Sequence, residues 1–133
     1  MSARRVLLVD DDDAIREFVT LFLTDEGFDV ATAPHGAAAL DLVGQIQPDV
    51  ILLDLSMPVM DGWEFSAAYR RLPGPHVPVV ALTAATDAVG AVQEIGAAGT
   101  LAKPFALDDL LAIVQNVLQQ PVEQQRTSWV HGS

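Results

Sequence analysis

Four short apolar runs in this chain each stop on a polar residue. Val6-Leu7-Leu8-Val9 runs into Asp10-Asp11, and Val50-Ile51-Leu52-Leu53 into Asp54. Residues 77–82 run into Thr83, and Thr100-Leu101-Ala102 into Lys103-Pro104. Uninterrupted runs of this kind mark parallel strands buried on both faces. Stretches with apolar residues at helical spacing lie between them, so strand-like and helix-like segments alternate five times. The alternation predicts an α/β domain with a doubly wound, five-stranded parallel sheet.

The first strand is expected over residues 4–10 and the first helix over 12–26. Ile15, Phe18, Val19, Phe22 and Leu23 share one face of that helix, and Gly27 offers a C-cap. Residues 28–33 alternate like a more exposed edge strand. Residues 36–46 read as an alanine-rich helix ended by Gln47-Pro48, since the residue before proline is driven from the helical region. Residues 49–54 are the most apolar strand and so the central one. Residues 56–62 hold Pro58 and Gly62 and read as a loop, followed by a helix over 63–72 that Pro73-Gly74-Pro75 ends. The fourth strand covers residues 77–82 and the fifth residues 100–102. Between them the helix around 87–95 is the weakest, because Gly90 costs about 1 kcal/mol relative to alanine; it is expected to be short or mobile. Leu107, Leu110, Leu111, Val114, Val117 and Leu118 line one face of a final helix, with Ile113 off that stripe and expected in solvent. The division that follows is one domain over residues 1–120 and a polar, mobile tail over 121–133.

The net charge of −11 changes the picture of partners. Direct nucleic-acid binding needs a Lys/Arg footprint, and anionic membranes attract basic segments, so neither is expected. Basic or apolar protein surfaces and cations fit better. Cysteine is absent, which excludes disulfides, thiol catalysis and thiolate metal sites. No apolar run reaches the length of a membrane span, and the stretch after Arg4-Arg5 is too short for a secretory signal. A cytoplasmic protein is the expectation.

Ligands of open α/β sheets bind beyond the carboxyl ends of the strands. Asp10, Asp11, Asp54, Thr83 and Lys103 would therefore meet at one edge. Two carboxylates at ~4 Å repel by roughly 4 kcal/mol at an effective dielectric near 20, and a divalent cation reverses that sign. Mg²⁺ prefers oxygen ligands in octahedral geometry, which Asp10, Asp11 and Asp54 can supply. Helix capping accounts for Asp12 and Asp13 but not for the whole cluster. Asp54, alone at a strand end beside a metal and an ammonium, suits nucleophilic attack on phosphorus. Mg²⁺ and Lys103 would neutralise the phosphoryl oxygens and the Thr83 hydroxyl would bond one of them. Each residue alone has an ordinary explanation, as a metal ligand, a surface lysine or a strand-end threonine. Their joint placement does not.

The segments VLLVDDDDAIRE, DVILLDLSMPVMDGWEF, VPVVALTA and LAKPF stand in order over residues 4 to about 118. Together they resemble the receiver domain of two-component response regulators, including the chemotaxis receiver. The resemblance implies a flavodoxin-like (βα)5 fold with strand order 2-1-3-4-5. It implies that Asp54 is the phosphoacceptor and Asp11 a direct Mg²⁺ ligand. Asp10 would act mainly through a bound water, and the backbone carbonyl of Ser56 would be a further ligand. Mn²⁺ is an expected substitute for Mg²⁺. Lys103 would pair with the phosphoryl oxygens, positioned by a cis peptide to Pro104, and Thr83 would move to the phosphoryl group once it arrives. The phosphoryl would come from a sensor histidine kinase or histidine phosphotransferase, or from small acyl phosphates. Output would pass to a downstream protein partner, from a monomer or a phosphorylation-dependent dimer.

Two departures stand out. Receivers usually carry an aromatic residue three before the lysine, which swings inward when the threonine moves; here that position is Thr100. The coupled switch is then in question, and switching by backbone motion alone is the favoured alternative. The stretch between Thr83 and Gly99 also looks a residue or two short. Trp63 is expected as a partly exposed helix residue, Met57 and Met60 as packing residues, and His35, His76 and His131 as no metal set. Asp12, Ser56 and Ala85 are placed to flank an attacking water. Two other functions fit less well. A phosphorylation-independent binding module would not need all five site residues. An aspartyl-phosphate hydrolase typically carries its nucleophile and acid/base as an Asp-x-Asp pair after the first strand, whereas here a lone nucleophile, Asp54, sits on the third. The expected protein is therefore a single-domain phosphoacceptor switch rather than a turnover enzyme.

Overall fold

The computed structural model describes residues 3–56, 61–84 and 88–119. Strands and helices alternate as β1 (Arg5–Val9), α1 (Asp13–Asp25), β2 (Asp29–Ala33), α2 (Gly36–Ile46), β3 (Val50–Asp54), α3 (Gly62–Arg71), β4 (Val79–Thr83), α4 (Ala88–Ile95), β5 (Gly99–Ala102) and α5 (Leu107–Gln119). All pairings are parallel and the sheet order is β2-β1-β3-β4-β5. The strand order reverses between β1 and β3, with connections leaving to opposite sides, which opens a crevice above their carboxyl ends.

Strand periodicity divides the core into two layers. Leu7, Val9, Ile51, Leu53 and Ala81 pack with Ala39, Phe65, Tyr69 and Ile95 under α2, α3 and α4. Val6, Leu8, Val50, Leu52, Val80 and Leu82 face Val19, Leu23, Leu110, Val114 and Val117 of α1 and α5. Every residue of β3 and β4 is buried, as continuous apolar runs require, while β2 is the half-exposed edge.

Local signals stop the helices where the site needs them. Asp12 caps α1, accepting from the backbone N–H groups of Ala14 (2.9 Å) and Ile15 (3.2 Å). Asp61 and Glu64 form a reciprocal capping box on α3. Gln47 ends α2 in the left-handed conformation (φ 50°), and Gly27 follows α1 at φ 96°.

Several expectations need correction. Phe18 is 65% exposed, because the turn of α1 that carries it overhangs the β5–α5 connection instead of the sheet. Ile113 is not in solvent. Its side chain packs over Gly99, where an added Cβ would lie 2.7 Å from Ile113 Cδ1, and it joins the α1/α5 layer. A strand residue without a side chain lets α5 settle closer, widening its buried stripe. β4 begins at Val79 instead of Val77, and Thr83 belongs to the strand. Gly62 opens α3 where a loop was expected. α4 is short, at eight residues against thirteen for α5. Trp63 is half-buried, as expected. Met57, Met60, Ala85, His131 and the expected tail lie outside the described residues.

Candidate phosphoryl-transfer site

β1 and β3 pair side by side, with Val9 opposite Leu53, so Asp10 and Asp54 emerge next to each other. Asp10 is fully buried and Asp54 is 3% exposed. One carboxylate oxygen each from Asp10, Asp11 and Asp54 lies within 4.8 Å of the others. Lys103 reaches in from β5, its Nζ 2.7 Å from Asp10 Oδ2 and 3.3 Å from Asp54 Oδ2. The Lys103 N–H also donates to the Thr83 carbonyl (2.9 Å), tying the lysine to β4. The Lys103–Pro104 peptide is cis.

The remaining contacts fix orientation. The Ser56 N–H donates to Asp54 Oδ1 (3.0 Å) and the Asp12 N–H to Asp10 Oδ1 (3.0 Å). The Thr83 hydroxyl, 2% exposed as a residue, donates to the neighbouring Ala84 carbonyl (3.1 Å). Asp11, Asp12, Asp54, Ser56, Thr83, Ala84 and Lys103 line an open cavity of about 400 Å³. Thr100 does not line it. It pairs with Ala81 inside β5 and is half-buried.

Burial pushes the Asp54 carboxyl from 3.8 up to about 6, and the Asp10 carboxylate adds to the rise, while the Ser56 N–H and the Lys103 ammonium oppose it. Burial alone would lower the Lys103 ammonium, but its hydrogen bond to Asp10 and the charges of Asp10 and Asp54 hold it above the ordinary lysine value. The site thus holds more carboxylates than its one lysine balances. Three acidic oxygen donors without nitrogen or sulfur are the donor chemistry of a hard divalent cation.

The response regulator receiver domain family matches residues 6–115. The chain belongs to that family. Receivers are signalling modules of two-component systems that bind Mg²⁺ at an acidic pocket, and the Asp10–Asp11–Asp54 cluster has the donor set for it. The DNA-binding response regulator MtrA of Mycolicibacterium smegmatis is 41% identical over 119 residues, 88% of this chain and 51% of that protein. The response regulator MprA of a Mycobacterium species (strain KMS) is 40% identical over 119 residues, 87% of this chain and 51% of its own. The chemotaxis response regulator CheY4 of Vibrio cholerae superposes with a TM-score of 0.81 at 38% identity, covering 87% of this receiver and 99% of that chain. This receiver spans about half the length of the curated relatives it matches. Because MtrA is itself DNA-binding, the expectation of no nucleic-acid partner finds no support among these relatives. No helix among the described residues is long and apolar enough to cross a membrane.

Two residues at the site were missed by sequence reasoning. Gly62 seats the start of α3 directly on the end of β3, where a Cβ would fall 2.7 Å from the Asp54 carbonyl oxygen and 2.7 Å from Leu55 Cα. Its signal was a glycine just after an Asp at a helix start. Arg16 donates through Nη1 to the Asp10 carbonyl (2.7 Å) and pairs with Asp13. Its signal was a basic residue in the first turn of a helix, where the dipole disfavours it.

Proposed function

We propose that this receiver is an Mg²⁺-dependent phosphoacceptor switch, phosphorylated on Asp54 by a histidine kinase or histidine phosphotransferase. The observation that carries the reading is a buried Asp54 with Lys103 at 3.3 Å and two further acidic side chains beside it. Asp10, Asp11, Asp54 and the Ser56 carbonyl would hold the ion, with Mn²⁺ as a substitute. When bound, Mg²⁺ supplies positive charge to the carboxylate and phosphoryl oxygens. An ionised Asp54 oxygen attacks phosphorus, the P–N bond to the donor imidazole breaks, and the electron pair leaves on nitrogen. Lys103 stays protonated and meets the charge of the transferred group. The Thr83 hydroxyl exchanges its Ala84 carbonyl for a phosphoryl oxygen. With Thr100 in place of an aromatic side chain, that exchange acts on the β4–α4 and β5 backbone alone, and the altered surface passes the signal to a protein partner.

The exposed Phe18 would serve as part of the docking surface for the donor. It flanks an apolar groove of about 430 Å³ lined by Ile15, Val19, Pro104, Phe105 and Leu107, which reaches Lys103. A partner seated there would bring a histidine to the cavity mouth. The expected result of Phe18→Ser is phosphorylation by a protein donor slowed at least about tenfold, the loss of one interface hot spot. Its rate with acetyl phosphate should be unchanged. Equal slowing with both donors would remove Phe18 from the interface.

The function itself is tested by intact mass after incubation with Mg²⁺ and acetyl phosphate. A single phosphoryl adduct is expected, absent without Mg²⁺ and absent in Asp54→Ala. An adduct that survives Asp54→Ala would place the acceptor elsewhere. No adduct with either acetyl phosphate or a histidine donor would leave phosphorylation-independent binding as the function.

A further inference from the structure

Arg16 stands in the first turn of α1, where a cation opposes the helix dipole, yet its side chain is only 21% exposed. Its i,i+3 pair with Asp13 is an ordinary helix-surface contact, so the informative bond is the one that leaves the helix. The guanidinium reaches back six residues, donating through Nη1 to the Asp10 carbonyl at 2.7 Å, while Nη2 pairs with Asp13. The Asp10 carbonyl belongs to the planar peptide joining Asp10 to Asp11. A group that fixes this plane also fixes the direction in which the chain leaves for Asp11.

The other polar atoms of Asp10 are already committed. Its N–H donates to Ala33 (3.1 Å), Oδ1 accepts from Asp12 (3.0 Å) and Oδ2 from Lys103 (2.7 Å). Those bonds hold Asp10 itself. The exposed Asp11 carboxylate lies one peptide further on, and the Arg16 bond controls that peptide. We infer that Arg16 is a positioning residue for divalent-cation binding, holding the Asp10–Asp11 peptide so that both carboxylates face one ion. The inference rests on the metal reading above and adds to it a residue that touches neither ion nor phosphoryl group.

Charge and positioning predict opposite outcomes. If Arg16 only offsets the four consecutive aspartates, its removal would leave the site more negative and Mg²⁺ would bind more tightly. If it positions the peptide, any loss of the fork weakens binding, even with charge retained, because lysine cannot hold the Asp10 carbonyl and Asp13 with one planar group. The experiment compares the full chain with Arg16→Lys and Arg16→Gln by calorimetric titration with Mg²⁺, alongside urea unfolding in EDTA. Initial phosphorylation rates with acetyl phosphate are followed across Mg²⁺ concentrations.

Mg²⁺ affinity is expected to fall about tenfold in both variants, the usual effect of losing an outer partner of a metal ligand. The Mg²⁺ needed for half-maximal phosphorylation should rise by the same factor, with the rate at saturating Mg²⁺ within twofold of wild type. Unfolding in EDTA should be unchanged, a split that a merely structural residue would not produce. Unaltered or tighter binding in Arg16→Gln would overturn the assignment, and so would loss of folding in EDTA by both variants. A wild-type chain that binds no Mg²⁺ would overturn the metal reading and this inference with it.

Discussion

The two halves of the strand-end edge are built to different tolerances. On the β1 and β3 side, Asp10 is bonded through its N–H, its carbonyl and both carboxylate oxygens, and Asp54 is seated on a helix start that leaves no room for a Cβ. On the β4 and β5 side, the Thr83 hydroxyl bonds the next carbonyl in its own chain, β5 has four residues, and α4 has eight with Gly90 among them. Val89 and Val92 of α4 are 68% and 50% exposed. Lys103 joins the halves, its N–H on Thr83 and its ammonium on Asp10 and Asp54. The proposed switch would need this asymmetry: a fixed half to place the reacting groups and a lightly held half free to change.

The largest expected effect tests how tightly the fixed half confines charge. The Asp54 carboxyl is raised in the folded state, from 3.8 to about 6, so the folded protein binds more protons than the unfolded chain between those values. Stability therefore falls as pH rises through that window, by about 3 kcal/mol when complete. Asp54→Asn lacks this titration. In EDTA, its stability relative to wild type should climb by about 2 kcal/mol, most of that amount, from pH 4 to pH 7, read from urea midpoints. Parallel pH profiles would show that Asp54 is not confined. Mg²⁺ should reverse the difference in the wild type at pH 7 and have little effect at pH 4.

Gly62→Ala comes next. Its Cβ would meet the backbone of Asp54 and Leu55, which cannot turn aside, so a loss of roughly 1–3 kcal/mol is expected in chemical unfolding. A loss below about 0.5 kcal/mol would mean that the fixed half is softer than its packing suggests. Asp12→Ala removes the cap that starts α1 and should cost about 1 kcal/mol, measured the same way. On the lightly held half the sign reverses. A Cβ at Gly90 would sit 3.5 Å from Trp63 Cη2, an ordinary contact, so Gly90→Ala should stabilise α4 by about 0.5–1 kcal/mol. Hydrogen exchange of the α4 amides would slow accordingly, and a destabilised α4 would erase the contrast.

Much of this was legible in the chain. Apolar runs buried on both faces admit few arrangements, so β1, β3 and β4 followed from Val6-Leu7-Leu8-Val9, Val50-Ile51-Leu52-Leu53 and the run before Thr83. The convergence of Asp10, Asp11, Asp54, Thr83 and Lys103 followed too, because parallel strands place their carboxyl ends along one edge. Phe18 and Ile113 were misplaced because helical spacing gives relative angle and not the rotation of a helix against its neighbours. α1 turns Phe18 toward the β5–α5 connection, and Gly99 lets α5 approach closely enough to bury Ile113.

Sequence alone thus determined the elements, their parallel pairing and the residue types at the strand ends, since these depend on local periodicity and on which polar residues interrupt it; the strand order came from the family resemblance. Only the tertiary structure decided that Arg16 reaches back to the Asp10 carbonyl, that Gly62 must lack a side chain, and that burial raises Asp54. Each of these depends on distances between atoms far apart or differently oriented along the chain, and no local pattern encodes such distances.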